Sequence, residues 1–177
     1  SINAKLSQLG SDKWHKIKQR AKRKIDDIAV ELLRVQAKRE LSNGYKFSLD
    51  NIAYDKFCSL FPYVETDDQQ NTINDVISDM CSIKSMDRVV CGDVGFGKTE
   101  VILRASFIAA NNDKQVVIIV PTTVLAKQHF ETLKRRFAKY SYNIGIVTRA
   151  ISRPERLSII DKIYNNQIHI PVSYTHL

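Results

Sequence analysis

Cysteine, proline, glycine and tryptophan are all scarce in this chain: three, four, six and one among 177 residues. Cys58, Cys81 and Cys91 lack metal-type spacing, and their odd number argues against a disulfide framework. They read as reduced thiols, and the chain as cytoplasmic. No apolar run approaches the roughly 18 residues that a membrane span needs, and no signal-peptide pattern opens the sequence. Neither an internal repeat nor a low-complexity segment is present. Acidic charge is also in deficit, with 19 Asp and Glu against 27 Lys and Arg and a formal net charge of +8. A basic balance favours nucleic acid, an anionic membrane or an acidic partner without choosing among them. The sequence does not start with Met and stops just after an apolar strand-like run, which gives the expectation of a piece of something longer.

What is present begins with a long periodic stretch. Residues 11–41, "SDKWHKIKQRAKRKIDDIAVELLRVQAKREL", predict one helix, capped at its start by Ser11 or Asp12 and ended near Gly44. Trp14, Ile17, Ala21, Ile25, Ile28, Leu32 and Val35 recur at steps of three and four, so the helix carries a single apolar stripe that should lie on something. On that stripe Trp14 reads as a core anchor. Between Lys13 and Lys24 there are seven Lys or Arg and no acid, either a solvated face or a contact with nucleic acid or an acidic partner. A short helix is expected over 50–60 and another over 68–81. Thr66 or Asp67 would cap the second, which would bury Ile73, Val76, Ile77 and Met80.

From residue 86 the pattern changes to strands alternating with helices of 12–18 residues. "DRVVCGD", "KQVVIIVP", "NIGIVTR" and "IHIPV" read as strands, and 98–111, 123–140 and 152–166 as the helices between them. Such alternation predicts βαβ units, an α/β fold with a parallel sheet and helices on both faces.

The first strand leads into Gly92-Asp93-Val94-Gly95-Phe96-Gly97-Lys98-Thr99, which fits G-x-x-x-x-G-K-[ST] at every fixed position, with a strand before it and a helix after. Glycines let the backbone curl so that successive N–H groups point inward, and the following helix turns its positive end toward the phosphates. In this arrangement Lys98 neutralises β- and γ-phosphates and the Thr99 hydroxyl takes a place on Mg²⁺. The chain is expected to bind a nucleoside triphosphate. The base-reading N-K-x-D of GTPases is not matched, because "NNDK" at 111–114 has the wrong order. Pro121-Thr122-Thr123 at the exit of the second strand reads in two ways: an ordinary helix cap, or a helix start whose hydroxyls grip a nucleic-acid phosphate.

"GDVGFGKTEV" followed by "VPTTVLAKQH" resembles the first two motifs of superfamily 2 helicases. A closer similarity is to the bacterial transcription-repair coupling factors, in "KLSQLGSDKWHKIKQRAKRKIDDIAVELL", "FCSLFPYVETDDQQNTINDVISDM" and "MDRVVCGDVGFGKTE", in register over about residues 5–170. The resemblance implies a RecA-like P-loop NTPase sheet preceded by a long helix. Residues 1–10 would be the tail of a preceding domain, 11–44 a basic linker helix, and 45–177 the N-terminal part of the first motor domain. It implies ATP and Mg²⁺ as cofactors, with Phe61 and Gln69 reading adenine and the phosphate loop extending through Glu100. Pro121, Thr122, Thr123 and, beside Thr148, Arg149 would face DNA. Double-stranded DNA, RNA polymerase and excision-repair proteins are the implied partners, and none is a membrane.

Rival readings predict different features. A RecG-type helicase would prefer branched DNA, and that family has Ser where Phe96 stands. A nucleotide or metabolite kinase would need an arginine-rich lid and an acceptor site, and neither is visible. A pure interaction module would make the phosphate loop vestigial, which leaves the retention of both Lys98 and Thr99 unexplained. The resemblance breaks down in "PVSYTHL", where Pro171 falls in an expected central strand and Thr175-His176 is displaced by one position from the family's pattern. That tail reads as non-native. The sequence also has no Asp-Glu pair to hold Mg²⁺ and orient water, and no arginine from a second domain, so nucleotide binding with little turnover is the expectation.

Overall fold

Four helices of this chain begin where the sequence offers a capping side chain. The computed structural model describes residues 12–174, so Ser11, the 1–10 tail and Thr175-His176 lie outside it. Asp50 accepts from the Ala53 N–H to start α2 (Asn51–Cys58). Thr66 starts α3 (Asp67–Met80) with a full capping box, its hydroxyl taking the Gln69 N–H while the Gln69 side chain takes the Thr66 N–H. Thr122 caps α5 (Thr123–Arg136), and Ser152, with a proline in the first turn, caps α6 (Arg153–Tyr164). The first helix, α1 (Asp12–Leu41), begins at Asp12, and α4 (Lys98–Asn111) begins at the phosphate-loop lysine.

Three strands make the sheet: β1 (Ile118–Val120), β2 (Ile144–Val147) and β3 (Ile170–Tyr174). All pairings are parallel, in the order β1-β3-β2. Helix α5 packs across all three strands and α6 against β2. The core joins this sheet to α2, α3 and α4 through Phe57, Phe107, Phe137, Ile73, Leu133, Ile170 and Val172. Its aromatic centre is a stack of Phe57 on Phe107, with ring centroids 4.4 Å apart.

The long helix belongs to a unit of its own that ends at Asn43, and the second unit begins at Gly44. Its expected apolar stripe is exposed: Trp14 is 37% and Ile25 65% accessible. The periodicity that made α1 a helix does not by itself supply a surface for the helix to cover.

Two further expectations change. "DRVVCGD" is extended but joins no ladder, and Val89 is 86% exposed. The segment is instead held by side chains, Arg88 donating to Asp79 at 2.6 Å and Asp75 at 2.9 Å on α3. The proline that spoke against a central strand sits in one, since Pro171 pairs in register with Gly145. The His169 and Ile170 N–H groups both donate to the Asn143 carbonyl, at 2.8 and 3.2 Å, which holds the start of the strand on the β2 side. On the β1 side the Val116 N–H donates to the His169 carbonyl at 2.9 Å and registered pairing resumes at Val172, so the strand runs through Pro171 and gives up a single donor.

Candidate nucleotide site

The phosphate loop takes its shape from two glycines. Gly95 has φ +89° and Gly97 φ +70°, the left-handed region that costs other residues energy. Gly97 is also the N-cap of α4, with no side-chain cap of its own. The N–H groups of Lys98 and Thr99, in the first turn, have no intrahelical acceptor by construction. Lys98 Nζ is folded over the loop and donates to the carbonyls of Gly92 at 2.6 Å and Asp93 at 2.5 Å. The ammonium is thus held where an anion cradled by the loop would meet it. Val94 and Phe96 expose their side chains at the loop tip, Val94 at 99%.

Gln69 connects this loop to α3. Its Oε1 accepts from the Thr66 N–H at 2.9 Å and its Nε2 donates to the Phe96 carbonyl at 2.8 Å. That leaves the amide one N–H and one lone pair, the donor and acceptor pair an adenine edge requires. Phe61, Gln69, Gly95, Gly97, Thr99 and Glu100 line one cleft of about 960 Å³, within the size range of small-molecule sites. The structure therefore brings together the aromatic, amide and phosphate-loop residues singled out in the sequence. The curled loop, the folded Lys98 and the Thr99 hydroxyl on the cleft wall fit a triphosphate and its metal ion.

Glu100 differs in one respect. Its carboxylate is buried and accepts from Arg104 Nε at 2.8 Å and Arg136 Nη2 at 2.7 Å, so the side chain faces the protein. Arg104 reaches on to Glu65, and both arginines lie near the Phe61 ring. Burial pulls the Arg104 guanidinium down, but its bonds to Glu100 and Glu65 outweigh burial and hold it above its ordinary value. Burial likewise pushes the Cys58 thiol up, which keeps it protonated and inert beside this cluster. Sequence reading missed Glu65, Arg104 and Arg136. The spacing of Glu100 and Arg104, four apart on a helix, was the one available signal.

Because all strands are parallel, the exits of β1 and β2 lie at the same end of the sheet. Pro121-Thr122-Thr123 and Thr148-Arg149 therefore emerge on one side, with β3 between them. Pro121, Thr122 and Thr123 are exposed, while the Thr122 hydroxyl accepts from the Leu125 N–H at 3.2 Å as a cap. Thr148 is buried, and the Arg149 guanidinium lies 5.7 Å from the Tyr174 ring centroid.

Residues 66–176 match the family described as DEAD/DEAH box helicase. The chain belongs to that family. As a DEAD/DEAH box helicase domain it is similar to transcription-repair-coupling factors of Haemophilus influenzae (47% identity over 174 residues) and Escherichia coli (45% over 174). The match covers 98% of this chain in each case. The Bacillus subtilis factor is 44% identical over 172 residues, or 97% of the chain. This helicase domain spans only about 15%, 15% and 14% of the lengths of those three relatives. Its fold is also similar to that of RecG bound to a three-way DNA junction, with a TM-score of 0.72 and 26% identity, over 81% of this chain and 20% of that one.

Proposed function

We propose that this chain is the ATP-binding part of the first motor domain of a bacterial, cytoplasmic DNA translocase that couples transcription to excision repair. The observation that carries it is the single cleft uniting Phe61 and Gln69 with Gly95, Gly97 and Thr99. In this reading Phe61 stacks on adenine, and the Gln69 amide takes its edge. Lys98 leaves the Gly92 and Asp93 carbonyls for the phosphates. The Thr99 hydroxyl holds Mg²⁺, which supplies charge neutralisation when bound. Thr123 and Arg149, at one end of the sheet, contact the DNA backbone together with Pro121 and Thr122. Support for the biological role comes from relatives named transcription-repair-coupling factor, and RNA polymerase and repair proteins are the partners it implies. Glu100, the one carboxylate among the residues that line the cleft, is taken up by Arg104 and Arg136 and does not stand free to orient water, so slow turnover is the expectation.

The likeness to RecG supports a second reading, a branched-DNA helicase. The two differ in outcome: preference for forked over linear DNA favours the second, and retention on RNA polymerase favours the first.

The deciding experiment is equilibrium binding of a fluorescent ATP analogue with Mg²⁺ to the chain and to Lys98→Ala, with ADP and GTP as competitors. Adenine-preferring binding that is lost in the variant is the expected result. Equal binding by both proteins overturns the phosphate-loop assignment.

A further inference from the structure

Helix α5 closes one side of the nucleotide cleft and brings to it a residue that the reading above does not use. Arg136 lines the cleft, yet its side chain is only 8% exposed. One nitrogen, Nη2, donates to Glu100 at 2.7 Å. The other two, Nε and Nη1, are buried with no hydrogen-bond partner. The guanidinium carbon lies 4.7 Å from the Phe57 ring centroid and 5.7 Å from that of Phe61.

Neutralising Glu100 does not account for this arrangement, because Arg104 already binds the same carboxylate oxygen at 2.8 Å. Packing does not account for it either, since an aliphatic side chain would fill the space between two rings without two orphan donors. Buried donors left unmatched carry a desolvation cost that an incoming acceptor relieves. Arg135 and Lys139 also line the cleft, but both are exposed and attract anions without geometric preference. Among the basic residues that line the cleft, Arg136 alone combines burial, an anchor on Glu100 and contact with the aromatic wall.

We infer that Arg136 is a specificity-determining residue for the base end of the nucleotide. The unmatched N–H groups of Arg136 are covered, so a purine that stacks on Phe61 must shift that ring off the guanidinium to bring a ring nitrogen or a ribose oxygen to them. Glu100 keeps the guanidinium plane in place. The phosphates lie at the glycine loop and gain nothing from it. This inference rests on the cleft being a nucleotide site, and its test is built to separate the two.

The test measures the affinity of the chain, of Arg136→Met and of Arg136→Lys for two probes: MgATP, and inorganic tripolyphosphate with Mg²⁺. Tripolyphosphate presents the phosphates without base or ribose. Losing a charged hydrogen bond should weaken ATP binding about tenfold in both variants and leave tripolyphosphate unchanged. The lysine variant retains a cation for Glu100 but not the planar fork, so it decides the matter alone if the methionine variant does not fold. A thermal melt establishes folding for each. Equal losses for both probes would mean that Arg136 only supports the cleft, and no loss for either would mean that it does nothing there; both overturn the inference. If the unaltered chain binds tripolyphosphate as tightly as ATP, the base cleft is refuted and Arg136 with it. If it binds neither, the nucleotide reading itself has failed.

Discussion

Glu100 and Arg136, 36 residues apart in sequence, meet at 2.7 Å in the core. Arg104 binds the same carboxylate oxygen and reaches on to Glu65, so the sequence of charges is Arg136, Glu100, Arg104, Glu65. Two positive and two negative groups cancel, and that is how Arg104, Glu100 and Arg136 tolerate burial with the partly exposed Glu65 at the end of the set. The set ties the end of α5 and the loop before α3 to the first turn of α4, directly behind Thr99. Glu100→Ala leaves two guanidinium groups facing each other without their shared anion, and should cost about 3–5 kcal/mol. Glu100→Gln retains an acceptor and should cost less. Urea denaturation of the three proteins checks this; a Glu100→Ala midpoint equal to that of the unaltered chain would show that the cluster does not hold these elements together.

Much of this architecture was legible because its determinants are local. Helix α4 spans Lys98–Asn111, the bounds expected from the glycine loop and the polar run after Ala110. Thr66, one of the two caps the sequence offered, starts α3, while Gln69 was singled out through the resemblance to the coupling factors and not by its own helix. The ion cluster was not legible, because Glu65 and Arg104 are 39 residues apart and only the folded chain brings them together. The partner of the Trp14 stripe was not legible for the opposite reason: periodicity reports which residues share a face and is silent on what covers it. "DRVVCGD" has the composition of a strand, but a strand requires a hydrogen-bonding neighbour, and no described strand lies beside it. Composition also overstated the veto from Pro171, because the cost of a proline depends on which neighbour its missing donor faces.

The two left-handed glycines should respond differently to alanine. Both substitutions carry the backbone cost of that region, about 1–2 kcal/mol. A Cβ on Gly95 meets nothing within 4 Å, whereas one on Gly97 would fall 2.2 Å from Gln69 Nε2. Gly97→Ala must therefore break the bond from Gln69 to the Phe96 carbonyl as well. The expected outcome is a lower melting temperature for Gly97→Ala than for Gly95→Ala, with loss of adenine preference over GTP only in Gly97→Ala. Equal competition profiles would remove Gln69 from the site.

Acid should loosen the same region by a route that can be assigned to one residue. Glu65 is held below the usual carboxylate range, first by a hydrogen bond from its own backbone N–H and then by Arg104. A depressed folded-state value means that the stabilisation is present above the unfolded value, about 4.3 for glutamate, and is lost as pH falls through the folded one. Between pH 7 and 5 the contribution should be flat. Glu65→Gln lacks this titration, so the gap in melting temperature between it and the unaltered chain should be widest near neutrality and close below about pH 4. A gap independent of pH would show that the carboxylate gains nothing from being ionised.

Stability and ligand binding should be coupled most visibly at Phe57. It is fully buried, stacked on Phe107 and 5.0 Å between centroids from Phe137, so it joins α2 to α4 and to the end of α5. It also backs the Arg136 guanidinium, which in turn lies against Phe61 on the cleft wall. Truncation to alanine opens a cavity at this junction and should cost about 3–5 kcal/mol. Ile170→Val, in the central strand, removes one methylene from an equally buried site and should cost about 0.5–1.5 kcal/mol. The informative comparison is nucleotide affinity under conditions where both variants remain folded. Phe57→Ala should bind ATP more weakly because the support beneath Arg136 and Phe61 is gone, while Ile170→Val, which touches neither, should bind as the unaltered chain does. If both lose affinity in proportion to their stability, then binding depends on global folding and not on the aromatic and guanidinium layers behind the cleft.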